Sequence, residues 1–341
     1  INMDFFIYLL FLLFLMILVN NYFLKTEYLL SETGDNHQKF TSKVKIPLTG
    51  GIFIFLSIQF FYDELGINFL FFSLLILILG IISDLKLMKS AKKRLIFQFI
   101  IVLIFVISND IQIVNTRVDL LEKLISNNYI NYIFVCFCVL IVINGSNFFD
   151  GLNTLSTGYY LLITLMMIYL NLMNVAVFQY LFLDNLLFVL IIIYIYNFLN
   201  KVFIGDSGSY ILGFIFSIFL IKFYNDNQQL SPFYIILLLW YPAFETLFSM
   251  IRKNILNRSP MRPDSNHFHQ LIFYYIRKKY FKKVLTANLI SANIINFYNL
   301  IIFSIATQFL FNTQAQIILI LLNLMIYTVI YFKLFLYRYN K

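Results

Sequence analysis

The chain has 341 residues, of which 61% are hydrophobic and only 12% charged, with a formal net charge of +9. That balance excludes a water-soluble globular fold, and runs of roughly 18 or more apolar residues recur along its length. Stretches such as Phe69 to Ile82 are apolar at every position, which excludes the alternating pattern of a membrane β-barrel.

The sequence therefore predicts an all-α polytopic membrane bundle, one integral membrane domain over 1–341. In chain order, spans are expected at about 4–24, 46–62, 66–82, 95–108, 130–144, 155–171, 178–197, 209–224, 231–251, 286–309 and 315–336. The working count is eleven, or ten, because the fourth and fifth spans flank a polar, partly amphipathic stretch over 109–129. The first segment, Phe5 to Val19, has no basic region ahead of it and no small-residue cleavage site behind it. It reads as a retained span rather than a signal peptide. Cys136 and Cys138 lie in an apolar run without the partners a metal site needs, and read as buried thiols.

Charge sets the orientation. Alternate connections hold Lys25, Lys39, Lys43 and Lys45, then Lys86, Lys89, Lys92, Lys93 and Arg94, then Lys201. The same set holds nine basic residues from Arg252 to Lys283 and the tail residues Arg338 and Lys341, against Arg117, Lys123 and Lys222 opposite. The positive-inside rule then puts the N-terminus outside and the C-terminus in the cytoplasm. Cytoplasmic connections fall at about 25–45, 83–94, 145–154, 198–208 and 252–285. The net charge follows from topology and anionic lipid, with no argument for nucleic acid.

Four polar signatures interrupt the apolar runs, all on that side. In Gly205-Asp206-Ser207-Gly208-Ser209 two glycines let the backbone approach a ligand, and Asp206 suits a hard cation such as Mg²⁺. Helix capping with tight packing accounts for the same residues. In Asn144 to Gly158, Asn147 and Asp150 share a helical face and Asn153 follows three residues later, a set suited to a metal or a polar heterocycle. Capping of a span end is the alternative. Asp84 stands at a span end beside the basic run Lys86 to Arg94, which either binds phosphate or only fixes topology. His267 and His269, two residues apart, cannot form a helical zinc pair of the i, i+4 type. On a loop they can bind a diphosphate or move a proton, unless the turn is incidental. Metal, cations, histidines and a membrane-level site together suggest phosphoryl transfer involving a lipid.

These motifs, in this order over about 30–275, resemble those of the polyprenyl-phosphate N-acetylhexosamine-1-phosphate transferases of glycosyltransferase family 4. That superfamily includes bacterial enzymes that start the lipid carriers of O-antigen, teichoic acid and capsule, and the phospho-N-acetylmuramoyl-pentapeptide transferase. Pro47-Leu48-Thr49-Gly50-Gly51 resembles its early motif, and Asp84 falls on the second Asp of its Asp-Asp pair. Asn144 to Leu155 resembles its Asn-x-x-Asn-x-x-Asp-Gly element, Phe203 to Ser209 its Phe-x-Gly-Asp-x-Gly-Ser element, and His267-Phe268-His269 its histidine motif.

The resemblance implies transfer of a sugar 1-phosphate from a UDP-N-acetylhexosamine to undecaprenyl phosphate on the cytoplasmic face of a bacterial inner membrane. It implies Mg²⁺, or Mn²⁺ in its place, held by Asp206 and Asn147, and homodimers occur in the family. Phe203 would stack on uracil, with Asp150, Gly151, Leu152 and Asn153 as the polar edge of that pocket. Asp84 would lie near the acceptor phosphate, and His267 and His269 near the donor phosphates. Asn144, Asn197, Lys45 and Lys201 would be further substrate contacts.

The departures are Ser83 in place of the first Asp, Asn153 in place of a second Asp, and Gln270 in place of a terminal His. UDP-GlcNAc and 6-deoxy relatives such as UDP-QuiNAc or UDP-FucNAc all fit as donor. The pentapeptide transferase is the rival within the class. A transporter of lipid-linked sugars, or a structural subunit, is the rival outside it and predicts polar residues along a path through the spans.

Overall fold

A computed structural model describes residues 3–31, 45–176, 181–255 and 265–339. Lys39, Lys43 and Lys341, named above, lie outside the described residues, as does 256–264 within the basic stretch from Arg252 to Lys283. Fourteen α-helices form among the described residues. They are α1 (Met3–Thr26), α2 (Gly50–Ile58), α3 (Tyr62–Asp84), α4 (Ala91–Ser108), α5 (Asp119–Ile125), α6 (Asn128–Phe149) and α7 (Leu155–Leu172). The rest are α8 (Leu181–Phe198), α9 (Gly205–Asp226), α10 (Pro232–Leu238), α11 (Trp240–Ile255), α12 (Phe268–Lys279), α13 (Val284–Gln308) and α14 (Thr313–Tyr339). The described residues form no strand beyond an isolated bridge between Leu30 and Pro47.

Seven helices are long and apolar enough to cross a membrane, or eight if α10 and α11 are one bent span. The chain is an all-α polytopic membrane protein. Each of the eleven expected spans falls on helix, but α2 has 9 residues, and at about 1.5 Å per residue it cannot cross a core about 30 Å thick. The second span also starts later than expected. Ile46 and Leu48 run extended against Ser31 and Leu29, joined by backbone hydrogen bonds of 2.8 Å, so helix begins only at Gly50. The ninth is broken by 72° between α10 and α11. Pro242 has no N–H to give the Leu238 carbonyl, which instead accepts from the Tyr159 hydroxyl at 2.8 Å.

The bundle is built around α9. From Ser207 to Tyr224 every one of its residues except Lys222 is buried, as expected of a helix that is apolar on all sides. Neighbouring helices reach it over residues too small to hold them off. A methyl at Gly213 would sit 2.6 Å from the Cα of Ile143 on α6, and one at Gly80 of α3 would sit 2.3 Å from the Cα of Ser207. Such close backbone approach drives helix association in lipid, where burial of apolar surface gives little. It also brings the C-terminal ends of α3 and α6 against the N-terminal end of α9.

Candidate active site

The site begins with how α9 starts. Gly205 has φ +71°, and its missing side chain leaves room for Asp84 at the end of α3, whose carboxylate a Cβ would meet at 2.8 Å. Asp84 Oδ1 accepts from the Asp206 N–H at 2.8 Å and Oδ2 from the Ser207 N–H at 3.0 Å. These are two of the free donors at a helix N-terminus, and a carboxylate there is also favoured by the helix dipole. Asp84 thus locks α3 to α9 and turns the Asp206 side chain outward.

Asp206 is surrounded by donors. Its Oδ2 accepts from the Ser83 hydroxyl and from Arg94 Nη1 at 3.0 Å, and its Oδ1 from Asn147 Nδ2. Arg94 also bonds the Ser83 hydroxyl, and Asn147 reaches Ser209 Oγ at 3.3 Å. Asp206 and Arg94 keep 28% and 25% of their side-chain surface exposed, so the pair stands at an open mouth.

Asp150 caps the end of α6 and accepts from Ser156 Oγ at 2.5 Å. Burial pushes its carboxyl up to about 8. The helix stops at Phe149, so Asn153 does not continue the face of Asn147 and Asp150 as the sequence suggested. Residues 150–154 instead form a turn that ends with Thr154 at φ +68°. Asn153 ties that turn down, donating to the Asn197 carbonyl at 3.0 Å and to Asn200 Oδ1 at 2.9 Å. Asn197 completes the tie through the Thr154 N–H and the Val202 carbonyl, the latter at 2.7 Å.

The histidines come in from α12. His267 stacks on Phe148 at 5.5 Å and on His269 at 5.8 Å, with its Nδ1 2.8 Å from Glu245 Oε1 on α11. His269 is fully buried, and burial lowers its imidazole to about 3, so the ring is neutral. Neither of its ring nitrogens has a partner among the described residues. A Cβ at Gly151 would come within 2.3 Å of His269 Nε2, so only glycine lets this ring close on the end of α6.

Four other expected contacts take no part in these bonds. Asn144 lies a turn deeper and bonds Gln98 Oε1 and the Leu140 carbonyl, both at 2.9 Å. Lys45 is exposed and paired with Glu27 at 3.3 Å, and Lys201 is exposed. Phe203 is half-buried, its backbone N–H on the Pro47 carbonyl at 2.9 Å and its carbonyl on the Gly50 N–H at 3.1 Å.

Residues 67–224 match the model of glycosyl transferase family 4. That stretch, just under half of the chain, is similar to glycosyl transferase family 4. Two curated relatives agree. A probable undecaprenyl-phosphate N-acetylglucosaminyl 1-phosphate transferase of Bacillus subtilis is 29% identical over 207 residues, 59% of this chain and 56% of that protein. An undecaprenyl-phosphate alpha-N-acetylglucosaminyl 1-phosphate transferase of Thermotoga maritima is 27% identical over 234 residues, 68% of this chain and 70% of its own length. The chain thus spans little more than half of the first relative. The family match runs from α3 through α9 and takes in Ser83, Asp84, Arg94, Asn147, Asp150 and Asp206, but ends before Glu245 and the histidines.

Two members of the site were not singled out in the sequence. In sequence Arg94 is one more cation of the basic run, and only the fold shows it turning back to Asp206. Glu245 is a lone carboxylate inside the apolar run 231–251, and an ionisable group within a span is itself a signal of function. As a cation site, Asp206 and the Asn147 amide supply few protein ligands, and no group of three or more His, Cys, Asp or Glu gathers among the described residues. That donor set fits Mg²⁺, which is commonly held by one or two carboxylates with water and substrate phosphates completing its shell.

Proposed function

We propose that the protein transfers an N-acetylhexosamine 1-phosphate from a UDP-sugar to undecaprenyl phosphate at the cytoplasmic face of a bacterial inner membrane. The observation that carries this reading is the convergence on Asp206 of Ser83, Arg94 and Asn147 from three helices, beside the histidine pair. The names of the two relatives support it, as does the excess of Lys and Arg in the connections at this end of the bundle.

In the proposed reaction an oxygen of the acceptor phosphate attacks the sugar-bearing phosphorus of the donor. The bond from that phosphorus to the bridging oxygen breaks, and UMP leaves with the electron pair. The acceptor phosphate is already an anionic nucleophile, so positioning and charge stabilisation carry the rate and no base is required. This removes the chemical need for an Asp at position 83. The Ser83 hydroxyl orients Asp206 instead. Bound Mg²⁺ would neutralise charge on the diphosphate and the leaving UMP. Asp206 would hold it, with the Asn147 amide turned to present its oxygen. Arg94, freed from Asp206, is then a guanidinium within reach of phosphate oxygens, the geometry that group recognises best.

Asp206→Asn is expected to lower UMP release by more than about 100-fold, the order seen when one key electrostatic group is lost. Membrane insertion should be unchanged, checked by detergent extraction and size-exclusion chromatography. Turnover within a few-fold of wild type would remove Asp206 from this role.

A further inference from the structure

Glu245 is fully buried in α11, beyond the end of the family match, and no part of the reaction above uses it. Three donors converge on it. His267 Nδ1 lies 2.8 Å from Oε1, the Phe268 N–H donates to the same oxygen at 3.3 Å, and the Tyr327 hydroxyl donates to Oε2 at 2.5 Å. An ionised carboxylate only accepts hydrogen bonds, so the proton on this edge of the imidazole must sit on Nδ1. Phe148 and His269 stack on His267, at 30° and 12°, and so fix the plane of the ring. With Nδ1 turned to Glu245, Nε2 is the ring nitrogen that can face a ligand. The titratable groups around the ring are Glu245 and Lys253 of α11, His269 of α12 and Tyr327 of α14; Lys253 lies 5.8 Å from the Phe148 ring.

We propose that Glu245 is a positioning residue acting through His267: it holds the imidazole with Nδ1 protonated and Nε2 presented to the donor diphosphate. Presentation of Nε2 to a diphosphate rests on the function proposed above. Partners of this kind, which set the tautomer and direction of a functional histidine, change activity by about 10–100-fold when removed. The Gln of Glu245→Gln can donate to Nδ1 as readily as accept from it, so the substitution releases the tautomer while keeping the side-chain volume.

The test combines turnover with a spectroscopic reading. The chain has three histidines, so ¹⁵N-histidine spectra of the full protein in detergent can be assigned with His267→Ala as reference. Wild type is expected to show His267 with Nδ1 protonated, and Glu245→Gln to lose that signature. In kinetics, Glu245→Gln should lower kcat about 10-fold or more when His267 is present, yet less than about 2-fold further in the His267→Ala background, the non-additivity of residues acting as one unit. Equal penalties in both backgrounds, or an unchanged His267 spectrum, would overturn the proposal. If Glu245→Gln cannot be purified, Tyr327→Phe takes its place, since it strips a donor from the carboxylate and leaves the carboxylate itself. A fall in kcat that disappears without His267 supports the proposal, and no fall, or one that persists, overturns it. A wild-type protein with no transferase turnover counts against the proposed function, and the spectrum alone then decides the coupling of Glu245 to His267.

Discussion

Asp150 is a carboxyl whose surroundings work against its charge. Among the described residues it accepts from one hydroxyl and from no cation, and burial pushes it up to about 8 from an ordinary 3.8. The consequence for stability has a definite sign. The folded protein holds the proton more tightly than the unfolded chain, so its contribution is complete below about pH 4 and lost as pH rises towards 8. The melting temperature in detergent should therefore fall across that window and level off above it, and Asp150→Asn should flatten the slope. An equal slope in the variant would assign the pH dependence to another group. Ser83 is a different lesson at the same scale. Read in sequence it is a missing Asp; in the fold its hydroxyl sits between Arg94 and Asp206 and joins them.

Among the elements, α9 carries the most information. Its apolar run was legible as a span over 209–224, but the helix starts earlier, at Gly205, and is buried on every side. The partner that fixes that start, Asp84, lies 122 residues away, and no local pattern discloses such a pairing. Gly205→Ala tests the joint. The new methyl would meet the Asp84 carboxylate at 2.8 Å in a backbone of φ +71°. A cost of about 1–3 kcal/mol is expected for strain at such a position. It should appear as a lower melting temperature together with reduced turnover, since Asp206 moves with the helix start. A variant as stable and as active as wild type would show that the α3–α9 lock is dispensable. At α10 and α11 the reverse holds. Pro232 and Pro242 were visible in sequence, but a continuous apolar run hid the 72° bend between the two helices.

Across the whole molecule, the all-α membrane class and the meeting of four polar signatures were legible because burial of apolar runs leaves most ionisable groups where elements end. The signatures at Asp84, Asn147–Asp150, Asp206 and His267–His269 do meet at one end of the bundle, through direct contacts or one intervening residue. Asn144 and Lys45, placed in the same site by motif, fall outside that cluster because their bonds lie with Gln98 and Glu27. What sequence could not supply was the second layer: Arg94 turning inward, Glu245 behind the histidines, and the amide ties among Asn153, Asn197 and Asn200. Each depends on helices far apart in the chain.

The most direct test of the account is transfer of label from a UDP-N-acetylhexosamine carrying ³²P on its sugar-linked phosphate into organic-extractable lipid. Purified protein in detergent would be given undecaprenyl phosphate and Mg²⁺, with each omitted in turn. Labelled lipid and an equal amount of UMP are expected only when lipid acceptor and metal are both present, with the donor panel identifying the sugar. UMP formed without lipid, or no labelled lipid with any donor, would contradict it.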